Sequence, residues 1–364
     1  MESDLIRINK WLTPLSWLYG ACTEARNLMF DLGILHSRGF PIPIINVGNI
    51  TVGGTGKTPH VEYLVGMLSK RYKVAVLSRG YKRKSHGFLL PTPSSTPAEI
   101  GDEPWQIMHK FPGIHVAVDS NRCRGIRNLM QNPRSNDVEV ILLDDAFQHR
   151  HVRPGLNILL TDYHRLLTDD YLLPAGRLRE SACGRYRADV IVVTKCPRNL
   201  SPMEYRVIQE ELKPKPYQKL FFSSLTYSKQ IQGVFTPRSL SFSSLRNTHV
   251  LLVTGIGCPQ QMERDIRPHV CSMKTLPYPD HHNFSNEDIT DIQAAIHSMP
   301  QPRIILTTEK DAVRLRAMDA AAGLLQEDLY FLPIEIGLMR NATNTFNDKI
   351  NRYVQENPRH RSMA

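Results

Sequence analysis

The chain has 364 residues, long enough for two domains with separate cores, and its 41% hydrophobic and 22% charged content excludes a disordered polymer. A net charge of +10 and a pI near 9.3 point to an anionic partner, whether nucleic acid, anionic lipid or a phosphorylated substrate. No RNA-binding signature, zinc finger or recurrent basic and aromatic stripe occurs, so no nucleic acid is expected.

Six cysteines without a Cys-x-x-Cys pair argue against a zinc site or a disulfide framework and fit a reducing cytoplasm. The acidic start Met1-Glu-Ser-Asp4 lacks the apolar core of a signal peptide. No uninterrupted apolar run approaches the roughly 18 residues that a membrane span needs, so the chain is not expected to cross a bilayer by itself.

Residues 1–30 carry a helical pattern. Leu5, Ile8, Leu12, Leu15, Tyr19 and Cys22 alternate spacings of three and four, Trp11, Trp17 and Leu18 widen the apolar face, and Arg7, Lys10 and Arg26 lie nearby. Such a face suits either a helix lying among lipid headgroups or one docked on the protein's own core. Pro14 predicts a break or two short helices.

Ile42 to Val47 then reads as a strand, and Val61, Leu64, Val65 and Leu68 as a helix face. Between them lies Gly48-Asn-Ile-Thr-Val-Gly-Gly-Thr-Gly-Lys-Thr-Pro59. Strand, glycine-rich loop and helix is the context in which backbone N–H groups close around phosphates, with the helix N-terminus adding its positive dipole end. Thr51, Gly53, Gly54, Thr55, Gly56, Lys57 and Thr58 are the candidate nucleotide-binding residues, with Lys57 at the β/γ-phosphates and Thr58 on Mg²⁺. Thr51 stands where the strict pattern has glycine, and the competing reading is a turn that binds nothing.

Lys73 to Leu77 predicts a second strand, leading into the cationic loop Ser78-Arg-Gly-Tyr-Lys-Arg-Lys84, a ligand loop or a solvated charge run. Pro91 to Pro97 is a loop, and Gly101-Asp-Glu-Pro-Trp105 opens a helix whose carboxylates, taken alone, are an N-cap. His115 to Val118 is a short strand ahead of Arg122, Arg124 and Arg127. Val138 to Leu143 is an apolar run of the buried parallel kind, delivering Asp144 and Asp145 to the edge where a phosphate-loop protein holds Mg²⁺. Leu156 to Thr161 and Asp189 to Thr194 are further strands. Residues 213–247, with Lys213-Pro-Lys-Pro216 and clustered serines, read as a domain boundary. His249 to Thr254, Arg303 to Thr307 and Leu329 to Pro333 supply strands for a second, smaller α/β unit. The expected division is an amphipathic membrane-associating helix over 1–30, a phosphate-loop domain over 31–235 and a C-terminal domain over 236–364, with residues 357–364 frayed.

Taken together, these segments resemble the tetraacyldisaccharide 4'-kinases, the lipid A 4'-kinases of Gram-negative bacteria. The resemblance rests on Asn46 to Pro59, Leu77 to Lys84, Gly101 to Pro104, Leu143-Asp-Asp-Ala-Phe-Gln-His-Arg150, Leu173-Pro-Ala-Gly-Arg-Leu-Arg-Glu180, Pro279-Asp-His281 and Thr307-Thr-Glu-Lys-Asp311, in order over most of the chain. It implies a phosphate-loop parallel sheet with helices on both faces, plus a smaller C-terminal α/β domain closing over the active site. It also implies transfer of the ATP γ-phosphoryl group, with Mg²⁺, to the 4'-hydroxyl of an acylated disaccharide 1-phosphate. The site implied is the cytoplasmic face of the bacterial inner membrane, with the enzyme peripheral and needing no obligate protein partner.

The roles carried over follow the matching positions. Asp102 becomes the base for the 4'-hydroxyl, with His281 supporting it, and Glu103 lies beside the metal with Asp144 or Asp145. Arg79, Tyr81, Arg122, Gln148, His149, Arg179 and Glu180 match positions at the substrate or phosphates. Without the resemblance, His281 is an ordinary turn histidine ahead of a helix capped by Ser285 and Asp288. Thr194-Lys195 and Thr307 to Asp311 both look like nucleotide-base contacts. Ala146 replaces a glycine usual in the family and would be strained if that position needed a positive φ. The competing classes are a phosphate-loop switch or metallochaperone, a soluble small-molecule kinase and a nucleic-acid ATPase.

Overall fold

The computed structural model describes residues 9–256, 259–279 and 282–357, so His281 lies outside the described residues. After α1 (Thr13–Asp31) the chain alternates β1 (Ile44–Gly48), α2 (Lys57–Leu68), β2 (Val74–Ser78), the single turn α3 (Pro97–Ile100), α4 (Asp102–Lys110), β3 (His115–Val118), α5 (Arg122–Gln131), β4 (Val140–Asp144), β5 (Leu156–Asp162), β6 (Val190–Thr194), α6 (Pro202–Leu212) and β7 (Lys219–Tyr227). It continues through β8 (Gln230–Gly233), β9 (Ser239–Ser241), β10 (His249–Thr254), α7 (Pro259–Ile266), β11 (Ser272–Pro277), α8 (Asn286–His297), β12 (Arg303–Thr308), α9 (Glu309–Arg316), α10 (Asp319–Leu325) and β13 (Leu329–Leu332). It closes with β14 (Ile334–Leu338) and α11 (Thr343–Gln355).

The first sheet has the order β14-β7-β6-β5-β1-β4-β2-β3 and is parallel except for β14. Its central strands are apolar on both sides because both sides are covered. Ile45, Val47, Val76 and Leu142 pack against Val61, Leu64 and Val65 of α2 and Ile350 of α11. Ile44, Leu77 and Leu143 meet Ile126 and Leu129 of α5 on the opposite side, while Ile191 and Val193 meet Ile208 and Leu212 of α6. Each strand therefore alternates between two cores, and the continuous hydrophobic runs in the sequence are both faces read together.

The second sheet, β11-β10-β12-β13-β8-β9, is parallel over its first four strands, with β8 and β9 antiparallel. The sequence places the crossover between sheets in a linker over 213–247, and here the structure differs. Nine residues of that stretch form β7, in which Ser223 and Ser224 are buried and Ser223 Oγ lies 3.0 Å from His60 Nε2, while the serines of the expected linker, Ser239 and Ser241, lie exposed in the edge strand β9. β8 enters the second sheet at Gln230, while β14 and α11 return to the first, so residues 236–357 do not form a single unit. The two crossings run side by side, joined by Ser228 N–H donating to Pro333 O at 2.9 Å.

α1 is one continuous helix, because Pro14 sits in its first turn, where no intrahelical N–H is lost. It docks through small residues. Ser16 and Gly20 are buried, and a Cβ on Gly20 would come within 2.7 Å of Leu172 Cδ1. Trp11 (92% exposed) and Trp17 (73%) face outward with Leu15 and Leu18. No described helix is long and apolar enough to cross a membrane.

Candidate active site

The carboxyl ends of the central parallel strands bring Gly48, Ser78, Asp144 and Thr194 to one edge, the edge at which open α/β sheets bind ligands. The loop after β1 is shaped by its own side chains. Asn49 Nδ2 donates to Thr51 Oγ1 (3.2 Å) and Thr55 Oγ1 (2.8 Å), and Lys57 Nζ donates to Asn49 Oδ1 at 3.4 Å. Gly56, the N-cap of α2, has φ +78°, a left-handed conformation that glycine adopts without strain. From outside, Val52 N–H donates to Arg177 O and Arg179 N–H to Ile50 O, both at 2.7 Å, so the Leu173 to Glu180 segment braces the loop. Thr194 Oγ1 donates to Thr55 O at 3.0 Å. Of the two segments resembling base contacts, Thr194 therefore supports the phosphate loop, while Thr308 caps α9. Asn49 and Ser78, inside quoted motifs but given no role from sequence, are both structural parts of this site.

His60, one turn into α2, is buried between the loop and β7, and the neutral ring satisfies both partners if Nδ1–H donates to Gly56 O (2.7 Å) and Nε2 accepts from Ser223 Oγ. Burial pushes its pKa down to about 4, only partly offset by the Gly56 bond. Because the folded pKa lies below the unfolded value, the unfolded chain binds the proton first. Stability is therefore lost as pH falls from about 6.5 to about 4, by roughly 3 kcal/mol in the limit. Denaturant titrations over this range are expected to show that slope flattened in His60→Gln.

Asp144, 2% exposed at the end of β4, accepts from Ser78 Oγ at 3.1 Å through Oδ2, while Oδ1 is buried with no hydrogen-bond partner among the described residues. Burial, then the charges of Glu103 and Asp145, push its pKa up to about 7 against the opposing pull of Lys57 and Arg122. An orphaned buried carboxylate oxygen beside two further carboxylates fits a divalent cation. Among the described residues no group of three His, Cys, Asp or Glu encloses a metal, so phosphate oxygens or water would complete the shell. Asp145 differs from its neighbour. Although burial opposes charge, Lys57 at 3.7 Å and Arg179 at 3.2 Å hold its pKa below the usual carboxylate value. It is Asp145, at φ +49°, and not Ala146, that takes the left-handed conformation, so alanine is unstrained there.

Arg122, 1% exposed, donates to Asp119 O (2.6 Å) and Asp144 O (2.9 Å) and lies behind the carboxylates. Burial first, then Arg122, Arg79, Arg26 and His151, push the His149 pKa down to about 4. Gln148 Nε2 donates to Asn49 O (2.8 Å) and to Glu180 Oε1 (3.0 Å), and Glu180 is paired with Arg187 at 2.7 Å. These residues thus act on the loop's shape as well as lining its basic side. Tyr81 is exposed at the tip of the cationic loop. The terminal helix reaches the same place, where Tyr19 Oη donates to Arg179 O (2.7 Å) and Arg26 Nη2 to Gln148 O (3.0 Å).

Asp102 and Glu103 occupy the first turn of α4, but the cap is Gly101 and no side chain caps the turn, so the N-cap reading does not hold. They instead meet the second sheet's α9. Arg314 lies 2.9 Å from Asp102 and Lys310 3.2 Å from Glu103. The local reading of the turn ahead of α8 does hold, since Ser285 and Asp288 form a capping box.

Comparison with known proteins agrees with this geometry. Residues 8–355 match the family described as Tetraacyldisaccharide-1-P 4'-kinase. The chain is 49% identical to the tetraacyldisaccharide 4'-kinase of Phocaeicola vulgatus over the whole of both proteins. It is 46% identical to that of Porphyromonas gingivalis strain W83, over 97% of this chain and 99% of the relative. Among solved structures, LpxK from Aquifex aeolicus in complex with ATP superposes with a TM-score of 0.74 at 29% identity, over 94% of this chain and 98% of the other. With the phosphate loop, the paired aspartates and the basic wall joined at one sheet edge, the chain belongs to the tetraacyldisaccharide 4'-kinase family.

Proposed function

We propose that the protein transfers the γ-phosphoryl group of ATP to the 4'-hydroxyl of a tetraacyldisaccharide 1-phosphate at a membrane surface. The observation that carries this reading is Asp144, whose buried, unpartnered Oδ1 lies behind a preshaped phosphate loop in a chain of this family. Lys57 and the loop N–H groups would hold the phosphates, and Thr58 and Asp144, with Glu103 and Asp145, would hold Mg²⁺. Held there, Mg²⁺ would supply positive charge that stabilises the transferring group. Arg79, Arg179 and His149 offer a polar, largely cationic wall to the lipid's anionic head, with Arg122 buried behind the carboxylates. Asp102 orients the acceptor hydroxyl and takes its proton as the phosphoryl group moves, because a carboxylate cannot deprotonate an alcohol in the ground state. Incubation with γ-labelled ATP, Mg²⁺ and the disaccharide 1-phosphate lipid should yield a labelled bisphosphate lipid. Label released only as inorganic phosphate would overturn the assignment.

The proposed membrane association is supported by the exposed side chains of Trp11, just ahead of α1, and of Leu15, Trp17 and Leu18 on α1. Indole rings beside cations favour the headgroup layer. Because Tyr19 and Arg26 of the same helix reach the site, deleting α1 would disturb catalysis directly, and substitutions of the outward residues are the cleaner test. Trp11→Ala with Trp17→Ala is expected to weaken sedimentation with anionic liposomes several-fold and to raise KM for the lipid, with KM for ATP unchanged. Unaltered liposome binding would make the exposed face a structural feature alone.

A further inference from the structure

α4 and α9 belong to opposite sheets and meet through charge. Asp102 pairs with Arg314 (2.9 Å), Glu103 with Lys310 (3.2 Å) and Glu309 with Lys110 (2.8 Å), three rungs along two helices. The first rung differs from the others in how its cation is held. Arg314 is 9% exposed, and its Nη1 donates at 3.1 Å to Asp311, a carboxylate with no solvent exposure. Asp311 is fixed in turn by Thr308 Oγ1 (2.8 Å) and by Gly255 N–H (2.9 Å). The guanidinium is thus anchored at one end, and its Nε (3.0 Å) and Nη2 (2.9 Å) both donate to one oxygen of Asp102, Oδ2. A planar fork held in this way fixes the direction of the carboxylate as well as its charge, which a lysine cannot do.

We propose that Arg314 is a positioning residue for phosphoryl transfer: reaching across from α9, it orients Asp102 toward the acceptor hydroxyl and makes that orientation depend on contact between the two sheets. The inference rests on the reading of Asp102 as the acceptor's base. The contacts of Arg314 with Asp102 and Asp311 place its action on the proton-accepting side of the reaction. Misdirection of a reacting group by about an ångström costs on the order of 10²-fold.

The test compares Arg314→Gln, Arg314→Lys and Glu309→Gln in the full-length protein, with thermal unfolding followed for each. Glu309→Gln removes the rung farthest from Asp102, so it reports the interface without the base. Arg314→Gln should lower kcat on the order of 10- to 100-fold with KM for ATP unchanged. Arg314→Lys should recover part of that loss, and Glu309→Gln should stay within about twofold of the parent. Arg314→Gln added to Asp102→Asn should cost little more than Asp102→Asn alone. Equal losses in Arg314→Gln and Glu309→Gln, or losses that multiply in the double variant, would overturn the positioning role and leave an interface contact. Unaltered kcat in Asp102→Asn would instead remove the base itself, a separate failure. If Arg314→Gln does not fold, the Arg314→Lys comparison with Glu309→Gln still decides, since parental kcat in Arg314→Lys would overturn the need for a two-nitrogen grip.

Discussion

Lys57→Ala is expected to lower kcat on the order of 10³-fold while the protein still folds, the largest loss foreseen for any single substitution in this chain. The ammonium is the cation of the loop itself, held 3.4 Å from Asn49 Oδ1 and 3.7 Å from Asp145. Its removal takes charge from the place where the transferring group gathers it. The fold does not depend on it, because Asn49 still links Thr51 and Thr55, and Asp145 keeps Arg179. Asp144→Asn tests the same centre from the other side. The wild-type carboxyl is pushed up to about 7 chiefly by burial, so a neutral amide relieves that cost and thermal stability should be equal or higher. Turnover should nevertheless fall steeply and lose its dependence on Mg²⁺. Near-parental kcat in a folded Lys57→Ala protein would remove the phosphate-loop assignment.

Much of this centre is legible in the chain because it is local. Gly48 to Pro59 carries its own turn chemistry, and Val138 to Asp145 announces a buried parallel strand ending in carboxylates, so the side-chain types give both the element and the role. Nine expected strands appear with small shifts at their ends, Ile42 to Val47 becoming β1 and Val138 to Leu143 becoming β4. What was not legible is long-range. β7 is hidden between Lys213-Pro-Lys-Pro216 and the serines at 239–244, which mark the whole stretch as a boundary, and Ser223 gains its partner only when His60 from α2 is brought against it. β14 and α11 return to the first sheet by pairing and packing that no local pattern encodes. Lys310 reads in the sequence as part of a segment resembling a nucleotide-base contact and Arg314 carries no role there, and their pairing with Glu103 and Asp102 shows only when α4 lies opposite. The apolar pattern of α1 was legible as a pattern, but its direction was not: the helix docks by Ser16 and Gly20 and leaves the tryptophans outside, since small residues allow close approach to Leu172.

The second large effect is expected at Asp102, again on kcat but from outside the phosphate loop. Asp102 lies in the first turn of α4, outside the phosphate loop, with Arg314 on Oδ2. Its replacement leaves the loop, Lys57 and Asp144 in place, so ATP should bind with unchanged affinity. On the proposed role of Asp102 the acceptor hydroxyl loses the group that takes its proton, and kcat for Asp102→Ala should fall by a factor on the order of 10² or more, the range of acid–base assistance. The family likeness pairs Asp102 with His281, and two residues that serve one proton give non-additive losses. Asp102→Ala, His281→Ala and the double variant should therefore have similar kcat, all with parental ATP affinity by equilibrium binding. Losses that multiply would separate the two residues, leaving Asp102 with Arg314 and His281 with the role its local sequence suggests. Loss of ATP binding in Asp102→Ala would place this carboxylate at the nucleotide, and the proton would then need another acceptor.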